Sequence, residues 1–271
     1  MAAEWRLLVE KLKRLAVPAG REALGEFALE GYRSMERALR NDAPLLEVLV
    51  SETFARSTLQ RDRSILDRVA KKEIPLRVSP DEEFHELCGD RRMGEVFGVM
   101  AIPAQPSWDS FFQGEGRHLL LVGWNISDPG NTGALIRTAL ASGASGFLAV
   151  GTTDPWHPKA VRTSMGSLFQ IPIRRVSVDD PWMQNLQELE VETFASCFNN
   201  AEILPEVQPS RSKLALLLGC EAFGLPDQVS AACDRRVSIP MPEGVNSFSV
   251  NAAAAILSYT LLQTGKEVET S

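Results

Sequence analysis

Cysteine is scarce in this chain, and the little there is lies scattered. Cys88, Cys197, Cys220 and Cys233 form no C-x-x-C pair, so neither a zinc cluster nor a disulfide framework is expected. Histidine is scarcer still. His85-Glu86 lacks the second histidine of a zinc-protease helix, and His118 and His157 stand apart, so no metal is expected. No apolar run approaches the roughly 20 residues that cross a bilayer. The start, Met1-Ala2-Ala3-Glu4-Trp5-Arg6, lacks the basic-then-apolar pattern of a secretory leader; a cytoplasmic location is the expectation. Three nucleotide and hydrolase signatures are missing as well. No G-x-G-x-x-G follows a strand, since Gly143-Ala144-Ser145-Gly146 precedes one, and there is neither a G-x-x-x-x-G-K-[ST] nor a G-x-S-x-G. Ser164 and Ser247 have no histidine at a recognisable spacing. A generic dinucleotide fold, a nucleoside triphosphatase and a serine hydrolase therefore lack support.

An excess of positive charge is also missing. The net charge is −7; residues 1–110 carry 17 Lys or Arg against 19 Asp or Glu, and the remainder 11 against 16. A nucleic-acid binder would be expected to carry a basic footprint. One local run supplies it: between Arg56 and Lys72, six basic residues face Asp62 and Asp67 alone. Net charge does not preclude such a face.

What is present is an ordinary globular composition, 44% hydrophobic and 23% charged over 271 residues, enough for two domains with separate cores. Residues 1–41 read as mainly helical, with an apolar stripe at Leu7-Leu8-Val9, Leu12 and Leu15-Ala16, a break at Pro18-Ala19-Gly20 and a second helix over about 22–39. Alternation follows: strand 46–50, helix 57–70, strand 75–78, helix 81–88 and strand 96–101, with Ser79 as cap and Pro80 at the first helical position of the second helix. A proline- and glycine-rich stretch, 103–116, reads as a linker between domains 1–102 and 117–271. Beyond it come strand 118–124, helix 131–142, strand 146–150, helix 158–164, strand 173–178, helix 181–189, strands 193–198 and 214–218, helix 226–232, strand 236–239 and helix 249–264. This order implies an α/β fold with a mostly parallel sheet. There is no internal repeat, and 265–271 is expected to fray.

Three segments carry the chemistry. In the first, the apolar strand ending at Trp124 runs into Asp128-Pro129-Gly130-Asn131-Thr132-Gly133 and on to Arg137. Asn131 or Thr132 is expected to cap the helix, which leaves a fixed cation near a strand's carboxyl end, where open α/β sheets bind ligands. The second is Leu218-Gly219-Cys220-Glu221-Ala222-Phe223-Gly224-Leu225, a strand broken at Gly219 that puts Glu221 in a turn. The third runs from Ile239-Pro240-Met241 through Ser247-Phe248-Ser249-Val250-Asn251 into an alanine-rich helix. With a Ser164-Met165-Gly166 segment between them, these blocks resemble, over roughly 117–265, the SpoU/TrmH branch of the SPOUT superfamily, RNA ribose methyltransferases that use S-adenosylmethionine.

The resemblance implies a deep trefoil knot in the C-terminal domain and a cofactor pocket at Leu218, Gly219, Ile239, Met241 and Phe248. It implies a catalytic set of Arg137, Asn131, Glu221, Ser247 and Ser249. Arg137 is the family's catalytic arginine; as a permanent cation it suits phosphate binding and alkoxide stabilisation better than base action. The family's last motif usually reads S-L-N-V, whereas Ser249 stands here where asparagine is usual, and Asn246 where glutamate is common before the first serine. Asn251, two residues on, is expected on another side of the helix. The N-terminal region looks like the ribosomal-protein-like α/β domain by which many family members recognise RNA, which points to structured RNA, ribosomal rather than transfer, as the partner. Knotted domains of this family pair, and Ala252-Ala253-Ala254-Ala255 with Leu257, Leu261 and Leu262 could serve a homodimer or pack within the chain. Two other readings stand beside rRNA 2′-O-methylation: an RNA-binding protein with little or no catalysis, favoured by Ser249 and the acidic charge, and a tRNA or base methyltransferase.

Overall fold

The computed structural model describes residues 4–89, 95–198, 201–204, 206–244 and 247–263. Asn246, Thr264 and the 265–271 tail lie outside them. The chain divides into two compact units, Met1–Ala104 with Trp156–Phe169, and Gln105–Pro155 with Gln170–Ser271.

The first unit holds α1 (Glu4–Leu15), α2 (Pro18–Leu24), β1 (Glu26–Glu30), α3 (Tyr32–Arg40), β2 (Leu45–Ser51), α4 (Glu52–Ala55), α5 (Gln60–Lys71), β3 (Leu76–Ser79), α6 (Asp81–Cys88) and β4 (Val96–Ala101). Its sheet runs β1-β4-β2-β3, antiparallel except for the β2–β3 pair. The apolar stripe of α1 (Leu8, Val9, Leu12, Leu15) packs on Ala28, Leu49, Phe84, Phe97 and Val99. The single helix expected over 22–39 is instead α2, β1 and α3. Gly25 and Gly31 take φ of 62° and 87°, a region other residues avoid, and break the helix on both sides of Phe27-Ala28-Leu29. Those three residues then bury themselves by pairing with β4, so tertiary burial overrides helical spacing. Ser79 does not cap α6. It is the buried last residue of β3, and Pro80 occupies the cap position.

The second stretch forms β5 (His118–Trp124), α7 (Pro129–Ser142), β6 (Gly146–Val150), α8 (Pro158–Thr163), β7 (Ile173–Val176), α9 (Trp182–Glu188), β8 (Glu192–Ser196), β9 (Glu202–Ile203), β10 (Lys213–Leu218), α10 (Asp227–Ala232), β11 (Arg235–Ser238) and α11 (Val250–Gln263). All the elements expected here form; among the described residues the two-residue β9 and a 3₁₀ turn, Ser167–Phe169, are additional. The expected parallel sheet is there too: seven strands in the order β7-β6-β5-β10-β8-β11-β9, each pair parallel. Leu119–Val122 and Leu214–Leu218 are buried on both faces, as parallel strands between helical layers must be.

Two boundaries differ from the sequence reading. The stretch expected as a linker contributes a 3₁₀ turn, Trp108–Phe112, whose Phe111 and Phe112 lie in the core of the second unit with Leu120, Leu148 and Leu217. The Arg174 guanidinium sits 4.5 Å from the Trp108 ring and donates to the Pro106 carbonyl at 2.6 Å. Aromatic burial thus outweighs the turn-forming composition. The segment Trp156–Phe169, which carries α8, groups with the first unit. Trp156 packs on Phe27 with ring centroids 5.0 Å apart, and Arg162 pairs with the buried Glu30 carboxylate at 3.3 Å. On α11, Ala254, Leu257, Leu261 and Leu262 are buried within the chain, while Ala255, Ile256 and Tyr259 are exposed; intrachain packing accounts for the leucines.

Candidate active site

The strand order explains where the motifs meet. From β5 the chain winds outward through β6 and β7, and all later strands lie on the other side, with β10 against β5. The β5–β10 boundary is a topological switch point, and the crevice beyond the carboxyl ends of such strands is the usual ligand site of an open α/β sheet. β5 ends at Trp124 and leads to Asn131; β10 ends at Leu218 and leads to Glu221.

Beyond β5 the chain enters α7 with Asp128, not Asn131 or Thr132, as the cap. The Asp128 carboxylate accepts from the Gly130 amide at 2.6 Å, Pro129 fills the first helical position and Thr132 is buried in the first turn. This frees the Asn131 side chain. Beyond β10 the chain reverses at once: the Gly224 amide donates to the Cys220 carbonyl at 2.9 Å, and Gly224 takes φ of 66°. The turn brings Glu221 back over α7. Asn131 Nδ2 donates to Glu221 Oε1 at 2.7 Å and Ser127 Oγ donates to Oε2 at 3.0 Å. Partial burial of the Glu221 carboxyl would raise its pKa, but these bonds and backbone amides hold it below the usual glutamate range.

Under this turn lies a cavity of about 860 Å³, a size suited to a small-molecule cofactor. Its walls include the expected cofactor residues Leu218, Gly219, Ile239, Met241 and Phe248. Asn131, Glu221, Ser247 and Ser249 line it as well. Arg137 does not. It is exposed on α7, six residues past Asn131, with no ion pair or hydrogen bond among the described residues. Ser249 doubles as the cap of α11, its Oγ accepting from the Ala252 amide at 3.3 Å.

Sequence reasoning missed three things. Asn251 donates from Nδ2 to Asn131 Oδ1 at 2.9 Å, which the reading that set it on another side of the helix from Ser249 did not foresee. Ser127 had no signal beyond its place before the D-P turn. Cys197 and Cys220 are half-buried and line the cavity, because each follows a strand at the end where the crevice opens. Among the described residues no three His, Cys, Asp or Glu side chains gather as metal ligands.

Comparison with known proteins decides the family. The SpoU rRNA Methylase family profile matches residues 118–259, more than half of the chain and all three motif segments. The chain belongs to the SpoU rRNA Methylase family. Membership makes it an RNA methyltransferase. Among relatives, the 23S rRNA (guanosine(2553)-2′-O)-methyltransferase RlmP of Bacillus subtilis is 26% identical over 254 residues, which are 93% of this chain and 95% of RlmP. The SpoU methyltransferase AviRb of Streptomyces viridochromogenes, solved with AdoMet, superposes with a TM-score of 0.82 at 25% identity, covering 94% of this chain and 96% of AviRb. An AdoMet-bound rRNA methyltransferase from Sinorhizobium meliloti shares the fold, with a TM-score of 0.79, 22% identity and 93% of each chain covered. In SpoU terms, the switch-point cavity and the Asn131–Glu221 pair are where the three motif segments converge.

Proposed function

We propose that this chain is an S-adenosylmethionine-dependent RNA 2′-O-ribose methyltransferase acting on ribosomal RNA. The observation that carries the reading is the bonded Asn131–Glu221 pair at the rim of a cavity with one apolar wall, at the switch point of a parallel sheet. Donor set and walls fit the cofactor. Leu218, Ile239, Met241 and Phe248 offer a slot for a flat heteroaromatic ring, and Glu221, Ser247 and Ser249 offer polar contacts at its edge. When bound, S-adenosylmethionine supplies an electrophilic methyl group on a sulfonium.

The chain's own residues align the two reactants and manage charge. Arg137 holds a phosphate beside the target ribose and stabilises the 2′-oxygen as its proton leaves to phosphate or water. Asn131, fixed by Glu221, orients the groups at the mouth. The relationship to RlmP, over 93% of this chain and 95% of RlmP, supports ribosomal RNA as the substrate. The N-terminal unit serves as a ribosomal-protein-like RNA-recognition domain; exposed Arg61, Arg63, Arg68 and Lys71 on α5 support this, since a local basic face suffices for phosphate contact. The C-terminal segment threads the family's trefoil knot. Two copies pair through the face of α11 that carries Ile256 and Tyr259, both exposed; light scattering giving a 29.8 kDa monomer would refute this pairing. The enzyme works in the cytoplasm without a metal.

The test is transfer of labelled methyl to unmodified RNA, followed by nuclease digestion and mass spectrometry. A methyl on a ribose 2′-oxygen of rRNA is expected; one on a base or on tRNA would replace the substrate assignment. Arg137→Ala should lower kcat by about 10²-fold or more while S-adenosylmethionine affinity by calorimetry stays unchanged. If the wild type binds cofactor and RNA but transfers nothing, the protein is an RNA binder.

A further inference from the structure

We infer that Asn251 is a positioning residue of the active site, acting through Asn131. The bond pattern admits one orientation for every group in the chain. Ionised Glu221 can only accept, so Asn131 must turn Nδ2 toward it, at 2.7 Å. That leaves Asn131 Oδ1 facing Asn251, which must therefore donate, and its Nδ2 lies 2.9 Å away. Ser127 Oγ closes the other end on Glu221 at 3.0 Å. The line Asn251–Asn131–Glu221–Ser127 thus joins α11, α7, the turn after β10 and the segment after β5.

The consequence lies in what Asn131 has left. One lone pair of its oxygen is taken by Asn251 and one amide proton is given to Glu221, so one N–H and the second lone pair remain, in a fixed orientation, for whatever enters the cavity it lines. Asn251 itself does not line that cavity. Among the described residues its Oδ1 is buried with no partner, a cost that accompanies turning the other half of the amide to Asn131.

This inference rests on the methyltransferase reading, and its test separates the two. Asn251→Ala, Asn131→Ala and the double variant form a cycle, read both as kcat and as thermal unfolding of the protein without cofactor or RNA. Asn251→Asp keeps the volume but, when ionised, cannot donate to Asn131. Both Asn251 variants should lower kcat about tenfold, the scale of one side-chain hydrogen bond, with KM for S-adenosylmethionine unchanged. In the Asn131→Ala background, Asn251→Ala should lower neither kcat nor melting temperature further. Equal losses in both backgrounds, or full activity in Asn251→Asp, would overturn the inference. If Asn131→Ala is too slow to assay, the unfolding cycle decides: additive shifts refute the bond and coupled shifts uphold it. A wild type without transfer removes the catalytic reading, and additive unfolding would then remove the bond as well.

Discussion

Gly219→Ala should cost the protein its cofactor site more than its fold. A Cβ built at Gly219 falls 2.0 Å from the Gly224 carbonyl carbon, 2.2 Å from its oxygen and 2.2 Å from the Leu225 nitrogen. All three are backbone atoms, so no rotamer change relieves the contact. Ordinary carbon–carbon separation is about 3.5–4.0 Å, so the returning arm of the turn must retreat by about 1.5 Å. The Asn131–Glu221 bond, now 2.7 Å, does not survive a displacement of that size, because hydrogen bonds weaken steeply beyond about 3.2 Å. Overpacking of this kind costs about 1–3 kcal/mol, and each kcal/mol moves Tm by roughly 2–4 °C in a domain of 150–250 residues. The expected loss is therefore about 2–12 °C. A cofactor at a hundred times its Kd should stabilise the wild type by about 2.7 kcal/mol through mass action; the variant should show almost none of that shift. Gly224→Ala is the control. Nothing lies within 4 Å of its added Cβ, and only the φ of 66° opposes it, at about 1–2 kcal/mol. Scanning fluorimetry with and without S-adenosylmethionine measures both. A Gly219→Ala protein with the wild-type ligand shift would show that the close approach in the turn has no bearing on the site.

The strands, most helices and the meeting of the three motif segments were legible because their signals are local or nearly so. Apolar runs such as Leu119–Val122 and Leu214–Leu218 have no other way to bury themselves than in a two-sided parallel sheet. The gathering of Asn131, Glu221, Ser247 and Ser249 around one cavity came from resemblance, and the strand order supplies its physical reason. What stayed illegible depends on partners far away in sequence. Phe27-Ala28-Leu29 suits either state in isolation, and only pairing with β4 some 70 residues later makes it a strand. Phe111 and Phe112 sit among turn formers, and their burial depends on Leu120, Leu148 and Leu217. The role of Asn251 was hidden for a similar reason. Helical spacing separates it from the residue at 249, but says nothing about α7, 120 residues earlier, where its partner waits.

Three further outcomes are expected. Phe111→Ala, at a fully buried ring, should lose about 3–5 kcal/mol and lower the urea midpoint; a change under about 1 kcal/mol would return the 103–116 stretch to the status of a linker. Burial pushes the Cys233 thiol up to about 12, so at pH 8 a thiol reagent should spare it in the native protein, while S-adenosylmethionine should protect Cys197 and Cys220, which line the cavity; mass spectrometry of labelled peptides reads both. The last concerns acid. Asp234 Oδ2 accepts from the Thr193 amide at 2.8 Å and from the Thr193 hydroxyl at 2.7 Å, tying the entry of β11 to that of β8. Burial would raise this carboxyl, but the Thr193 bonds outweigh it and hold the pKa below the usual aspartate value. A group depressed on folding adds stability that is complete above its unfolded pKa, about 3.9, and that drains away as pH falls through the lower folded value. Asp234→Asn should therefore be less stable than wild type by a constant amount from pH 8 to about 5, and the gap should narrow below about pH 4 as the wild type loses its ionised acceptor. Urea unfolding at pH 7, 5 and 3.5 measures the gap directly; one that is as wide at pH 3.5 as at pH 7 would mean that Asp234 acts through its shape alone and its charge contributes nothing.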